Sequence, residues 1–81
     1  MQPNTAVTRA CEVIGSQRLL AEIIGVKPPS LSEWEKGESD VPVKRCVQIE
    51  NATGGQVTRR DLRPNDWHLI WPELIDQDKA A

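Results

Sequence analysis

QRLLAEIIGVKPPSLSEW, residues Gln17 to Trp34, reads as two short helices joined by a tight turn. Leu20, Ala21 and Ile24 fall at i, i+1 and i+4 on one helical face, and Gly25 follows as a left-handed stop. Val26 re-enters the core. Pro28 suits a first helical turn, where the amide it lacks would have no intrahelical partner, and Leu31 and Trp34 restart the apolar face three residues apart. The stretch is a helix, a turn and a helix.

Upstream, Asn4 or Thr5 can cap a helix running to about Ile14, whose stripe of Ala10, Cys11 and Ile14 faces inward and is closed by Gly15. Ser16 is placed to cap the next helix, from Gln17 to Ile24. Downstream, the third helix runs from Lys27 to Lys36, and Gly37 with the polar run Glu38 to Asp40 makes its exit loop. Pro42 begins a fourth helix to about Thr53, with Val43, Cys46, Val47 and Ile49 assigned to the core. Gly54 and Gly55 end it. Thr58 and Asp61 then form a variant capping box for a short helix. Trp67, Ile70, Trp71 and Leu74 fall three and four apart, an apolar stripe that either folds back onto the core or buries itself against a second copy. Pro72 is expected to end that helix. The domain is therefore placed at residues 1–74, with residues 75–81 a frayed acidic tail.

Eighty-one residues make one small domain, near the lower limit for folding without a staple. Its two cysteines, Cys11 and Cys46, stand 35 apart beside a lone His68, so neither a zinc pattern nor a redox pair is written and both read as buried apolar residues. No metal or cofactor is expected. No signal-type leader and no apolar run of roughly 20 residues is present, which points to a cytoplasmic protein away from membranes. Nothing suggests an enzyme: there is no paired carboxylate motif, no glycine-rich phosphate loop and no nucleophile with a visible base.

The net charge of −2 argues against a nucleic-acid partner until its distribution is read. Residues 1–63 carry nine Lys and Arg against eight Asp and Glu, or +1, and residues 64–81 carry one against four, or −3. The acid is in the tail, and phosphate binding depends on local clusters. Lys44 and Arg45 sit in the first turn of the fourth helix, where the dipole prefers acids, and that local cost hints at an external anion.

Ala21, Gly25, Leu20, Ile24, Val26, Leu31 and Trp34 match the helix-turn-helix pattern of phage repressors and Cro proteins. Together with Cys46 to Arg63, CVQIENATGGQVTRRDLR, and Trp67 to Leu74, the chain resembles the YdaS-type branch of the Cro-like repressors over roughly Cys11 to Leu74. These are small prophage regulators, some of them components of toxin–antitoxin systems. The resemblance implies an all-α, lambda-repressor-like bundle of about five helices with a Trp-containing C-terminal segment. It also implies a transcription regulator that binds double-stranded operator DNA as a homodimer, near the nucleoid; no small-molecule ligand is expected, since the chain is too short to add a sensing domain to a DNA module.

In that resemblance the third helix reads base edges in the major groove. Its outward residues are Lys27, Pro28, Pro29, Ser30, Ser32, Glu33 and Lys36. Two prolines offer no amide and no polar side chain, although they can touch a thymine methyl, so hydrogen bonding falls on Lys27, Ser30, Ser32 and Glu33. Glu33 repels phosphate but accepts well from the cytosine amino group, which makes it a selector of sequence. Phosphate contacts are expected from Ser16, Gln17 and Arg18 at the start of the second helix, from Lys36, and from Lys44 and Arg45. Docking or dimerisation falls to Trp67, Ile70, Trp71 and Leu74. A protein-contact role on the same fold, as toxin, antitoxin or antirepressor, is the alternative favoured by the weak basicity, the proline pair and the Trp stripe.

Overall fold

The computed structural model describes residues 3–75, so the expected acidic tail lies outside the described residues from position 76 onward. Six helical segments follow one another: α1 Thr5–Ile14, α2 Gln17–Ile24, α3 Pro28–Lys36, α4 Val43–Ala52, α5 Arg59–Leu62 and α6 Trp67–Ile70. The described residues hold no strand. None of their helices is long and apolar enough to cross a membrane.

Local chemistry accounts for the first boundaries. The Asn4 side chain accepts from the Ala6 and Val7 amides, and Ser16 Oγ accepts from the Leu19 amide at 3.1 Å, satisfying donors that a helix start otherwise leaves orphaned. Gly25, at φ +76°, ends α2 in a left-handed conformation that costs a side-chain-bearing residue roughly 1–2 kcal/mol. Lys27 is not the first residue of α3, as the sequence reading placed it, but its extended N-cap at φ −87° and ψ 146°. The ring of the following Pro28 excludes the α region for the residue before it.

Leu20, Ile24, Leu31, Ile49, Val7, Val41, Val57 and Cys46 are the fully buried centre of the core. α2 packs on α1, α3 and α4, which places the helix-turn-helix unit at the middle of the domain. α4 starts one residue later than expected and its stripe is narrower. Cys46 and Ile49 are sealed, whereas Val43 is 42% exposed and not the core residue it was assigned to be. Val43 lies off the Cys46–Ile49–Thr53 face, and Val41, from the loop just before the helix, is buried at 0% exposure. Among the described residues Thr53 is the one buried polar side chain: its hydroxyl donates to the Ile49 carbonyl at 2.9 Å and accepts from the Val57 amide at 3.2 Å. It thereby satisfies the backbone where α4 turns toward α5.

The capping box of α5 forms as expected, with Thr58 and Asp61 bonded reciprocally. α6 stops at Ile70, before Pro72, because Trp71 precedes that proline and is driven to φ −127° and ψ 70°. The apolar stripe folds back. Trp71 and Leu74 are each 7% exposed, and Trp67 and Ile70 pack half-buried against the same core.

Arg63 ties this segment to the α3–α4 loop. Its guanidinium makes a bidentate pair with Asp66, at 3.0 and 2.7 Å, and donates to the Val41 carbonyl at 2.7 Å. That hydrogen bonding holds the Asp66 carboxyl below its ordinary value of 3.8. A carboxylate whose folded pKa is depressed stabilises the fold above its unfolded pKa, and the contribution is lost as pH falls through the folded one. Acid titration should therefore lower the stability of the protein below about pH 4, and less so in an Asp66→Asn variant. Equal pH dependence of the two melting temperatures would contradict the role given to this pair.

Candidate nucleic-acid interface

The start of α2 and the outward side of α3 meet at a shallow groove lined by Gln17, Pro28, Pro29, Ser32, Glu33, Lys36 and the loop residue Glu38. Leu31 and Trp34, at 0% and 5% exposure, turn the opposite side of α3 into the core. Their three-residue spacing fixes which side chains of α3 remain outside. Lys27, Pro28, Pro29, Glu33 and Lys36 are exposed, and Ser30 and Ser32 are half-buried. Lys27 and Ser30 lie outside the lining of the groove, so five of the seven outward residues expected on this helix converge there.

Gln17 is more constrained than a free phosphate contact. Its side-chain amide donates to Ser32 Oγ at 3.1 Å and to Glu35 Oε1 at 2.7 Å. With both N–H bonds committed, the side chain keeps only its carbonyl oxygen, and an acceptor does not attract phosphate. Ser16 likewise spends its hydroxyl oxygen on the cap of α2. Arg18 pairs with Glu22 at 3.5 Å on an exposed surface, a contact weak enough to be exchanged for another anion.

Lys44 projects from the first turn of α4, whereas Arg45 is half-buried and partly employed. Arg45 Nη1 donates to the Ile24 carbonyl and to Gln48 Oε1, both at 2.7 Å. It closes the C-terminal end of α2, where a cation also meets the favourable end of the helix dipole.

Glu35 was not singled out from sequence, yet it is the junction of the three N-terminal helices. Besides Gln17 of α2, its carboxylate accepts from Thr8 Oγ1 of α1 at 3.1 Å and lies 3.8 Å from Cys11 Sγ. The available signal was its place four residues after Leu31, on the inward edge of α3. Glu38 was likewise missed, being read only as part of the exit loop. Burial, and then the Glu35 carboxylate, push the Cys11 thiol up to about 11, and burial takes Cys46 to about 11. Both cysteines are free, buried and held as unreactive thiols. No grouping of His, Cys, Asp and Glu among the described residues could hold a metal ion.

These features define a small all-helical domain built on a helix-turn-helix, with the outer side of its second motif helix open. Comparison with known proteins places it further. The family described as "Bacterial toxin YdaS" matches residues 7–70. The chain is also 45% identical over 68 residues to the Escherichia coli (strain K12) protein named "Putative transcriptional regulator YdaS", covering 83% of this chain and 69% of that protein. The chain belongs to the YdaS family.

Proposed function

We propose that this chain is a sequence-specific double-stranded DNA-binding regulator of transcription. In this reading it is a Cro-like repressor that occupies a dyad operator as a dimer and silences the promoter beneath it, its own included. The observation that carries the reading is the outward side of α3. Its core-facing residues are sealed while Pro28, Pro29, Ser32, Glu33 and Lys36 gather with Gln17 at one open groove. The name of the Escherichia coli relative supports a regulatory role.

One recognition helix reads only a few base pairs, so two half-sites about 34 Å apart supply the affinity. Lys27, Lys36 and Lys44 supply charge for the phosphates, together with the free edge of Arg45, and Ser16 caps a start of α2 whose amides face the backbone. Gln17 and Glu33 present acceptors to the groove, which suits the amino groups of cytosine and adenine and repels phosphate. Affinity and selectivity are thus divided between different residues.

The deciding experiment is a gel shift of the purified protein on the intergenic DNA upstream of its own gene, at two salt concentrations, with a scrambled competitor. Binding that resists the competitor and falls steeply with salt supports the operator reader. Absence of binding at low salt overturns it and favours a protein-contact module, toxin or antirepressor. The family description as a toxin and the exposed apolar residues Leu19, Ile23 and Leu69 favour this second reading. Glu33→Ala is expected to erase about 1–3 kcal/mol of discrimination at one base pair per half-site, leaving the fold intact. Selection from a randomised operator measures this, and an unchanged preference removes Glu33 from the readers.

A further inference from the structure

Four residues on the outer side of α2 have no place in either the core or the groove. Leu19 and Ile23 are 47% and 57% exposed, while Leu20, Ala21 and Ile24 on the inner side are at 1% or less. Leu19 and Ile23 are four apart and form one apolar row. Arg18 and Glu22, also four apart, form a charged row beside it, with side chains 83% and 62% exposed. At about 100° per residue the two rows together span roughly 140° of the helix circumference. A Leu and an Ile this exposed, side by side on one short helix, are an apolar feature that neither the fold nor the groove requires.

We propose that this side of α2 is a self-association surface, on which a second copy of the chain docks its own α2 antiparallel. The pattern of charge selects that occupant. A twofold axis across the helix near position 20 keeps the apolar rows on one side of the interface and the charged rows on the other. Leu19 then meets Ile23 of the second copy, and Arg18 meets its Glu22, with both contacts repeated by symmetry. A partner of uniform charge leaves either Arg18 or Glu22 facing its own sign, and a nucleic acid meets Glu22 and two aliphatic side chains. The second copy satisfies both rows at once. Gln17, the only α2 residue in the groove, lies about 120–160° around the helix from Leu19 and Ile23, so docking leaves the groove open.

Two aliphatic side chains per copy bury far less than the roughly 1,200–2,000 Å² of a stable interface, so the dimer is weak, with a dissociation constant of about 0.1–1 mM. Sedimentation equilibrium of the full chain without DNA, from about 10 μM to 2 mM, is expected to show this association. Arg18→Glu leaves two acids on the row and Glu22→Arg leaves two bases. Each alone should weaken self-association by about tenfold, and an equimolar mixture of the two variants should restore it to the wild-type level or above. Leu19→Ser with Ile23→Ser should abolish it while the melting temperature stays close to wild type, since these side chains lie outside the core. A monomer throughout the range overturns the proposal and leaves the face to a partner of other chemistry. So does a mixture that associates no better than its components. Salt-sensitive binding to a DNA duplex holding a single half-site reports on the groove and its phosphate contacts and not on the Leu19 and Ile23 side of α2, so the two readings fail separately.

Discussion

Trp34→Ala should lower the stability of this domain by about 3–5 kcal/mol, the cost of deleting a large buried aromatic and leaving a cavity that closes only in part. Trp34 is 5% exposed and, with Leu31, supplies the core-facing side of α3, which packs on both α1 and α2. A loss of that size consumes much of the 5–15 kcal/mol that an ordinary domain has available. In a domain this short it corresponds to a drop of roughly 12–40 °C in melting temperature. Circular-dichroism melts are the direct check. A folded variant with near-normal melting would mean that α3 is rotated from the position described and that the groove residues are not those named. Trp34→Leu, which keeps an apolar side chain in the same place, should recover part of the loss.

Trp71→Ala should be nearly as damaging, again by about 3–5 kcal/mol, although Trp71 lies outside any helix and close to the end of the described chain. It is 7% exposed, and the Arg59 guanidinium stands 5.4 Å from its ring centre. Arg59 is held in turn by Glu50, whose carboxylate accepts the Arg59 amide at 2.9 Å and lies 3.4 Å from Nε. That Nε is buried without a hydrogen bond aligned to it. Removing the indole therefore empties core volume and strips a cation–π contact from an already under-satisfied guanidinium. Leu69→Ala, at 76% exposure, is the matched control and should change stability by no more than about 0.5 kcal/mol. Chemical denaturation at two protein concentrations separates fold-back from docking on a second copy. Fold-back requires a Trp71→Ala loss independent of concentration, whereas a loss that appears only at high concentration would mean the ring is buried between chains.

Much of the helical layout could be read from punctuation. Asn4, Ser16, Gly15 and Gly25 are residues whose side chains or backbone freedom satisfy or end a helix, and α1 and α2 run between them. The inward side of α3 followed from the spacing of Leu31 and Trp34, and the outward side followed by elimination. Periodicity was blind to Val41, a single apolar residue between Asp40 and Pro42, because a loop residue belongs to no repeating face. Its burial is also why Val43, more plausible by spacing, was free to stay outside. Nor could spacing foresee the bonds of Gln17 and Arg45. Their places at helix starts predict phosphate contacts for both, and the structure shows both also serving a neighbouring helix, Gln17 at Ser32 and Glu35 and Arg45 at the last carbonyl of α2. A helical pattern reports direction, and a polar side chain's partner depends on which other helix end arrives there.

The Glu35 junction bears on how such a protein would tolerate an imperfect site. One carboxylate gathers donors from α1 and α2 while riding on α3 itself, so the angle between the two motif helices is set from three sides. α3 cannot swivel to follow a displaced base pair without breaking bonds to both other helices. In the proposed complex, misfit would then fall on the duplex, which must twist or bend to meet a fixed surface. Sequences that deform easily would be preferred even at positions no side chain touches.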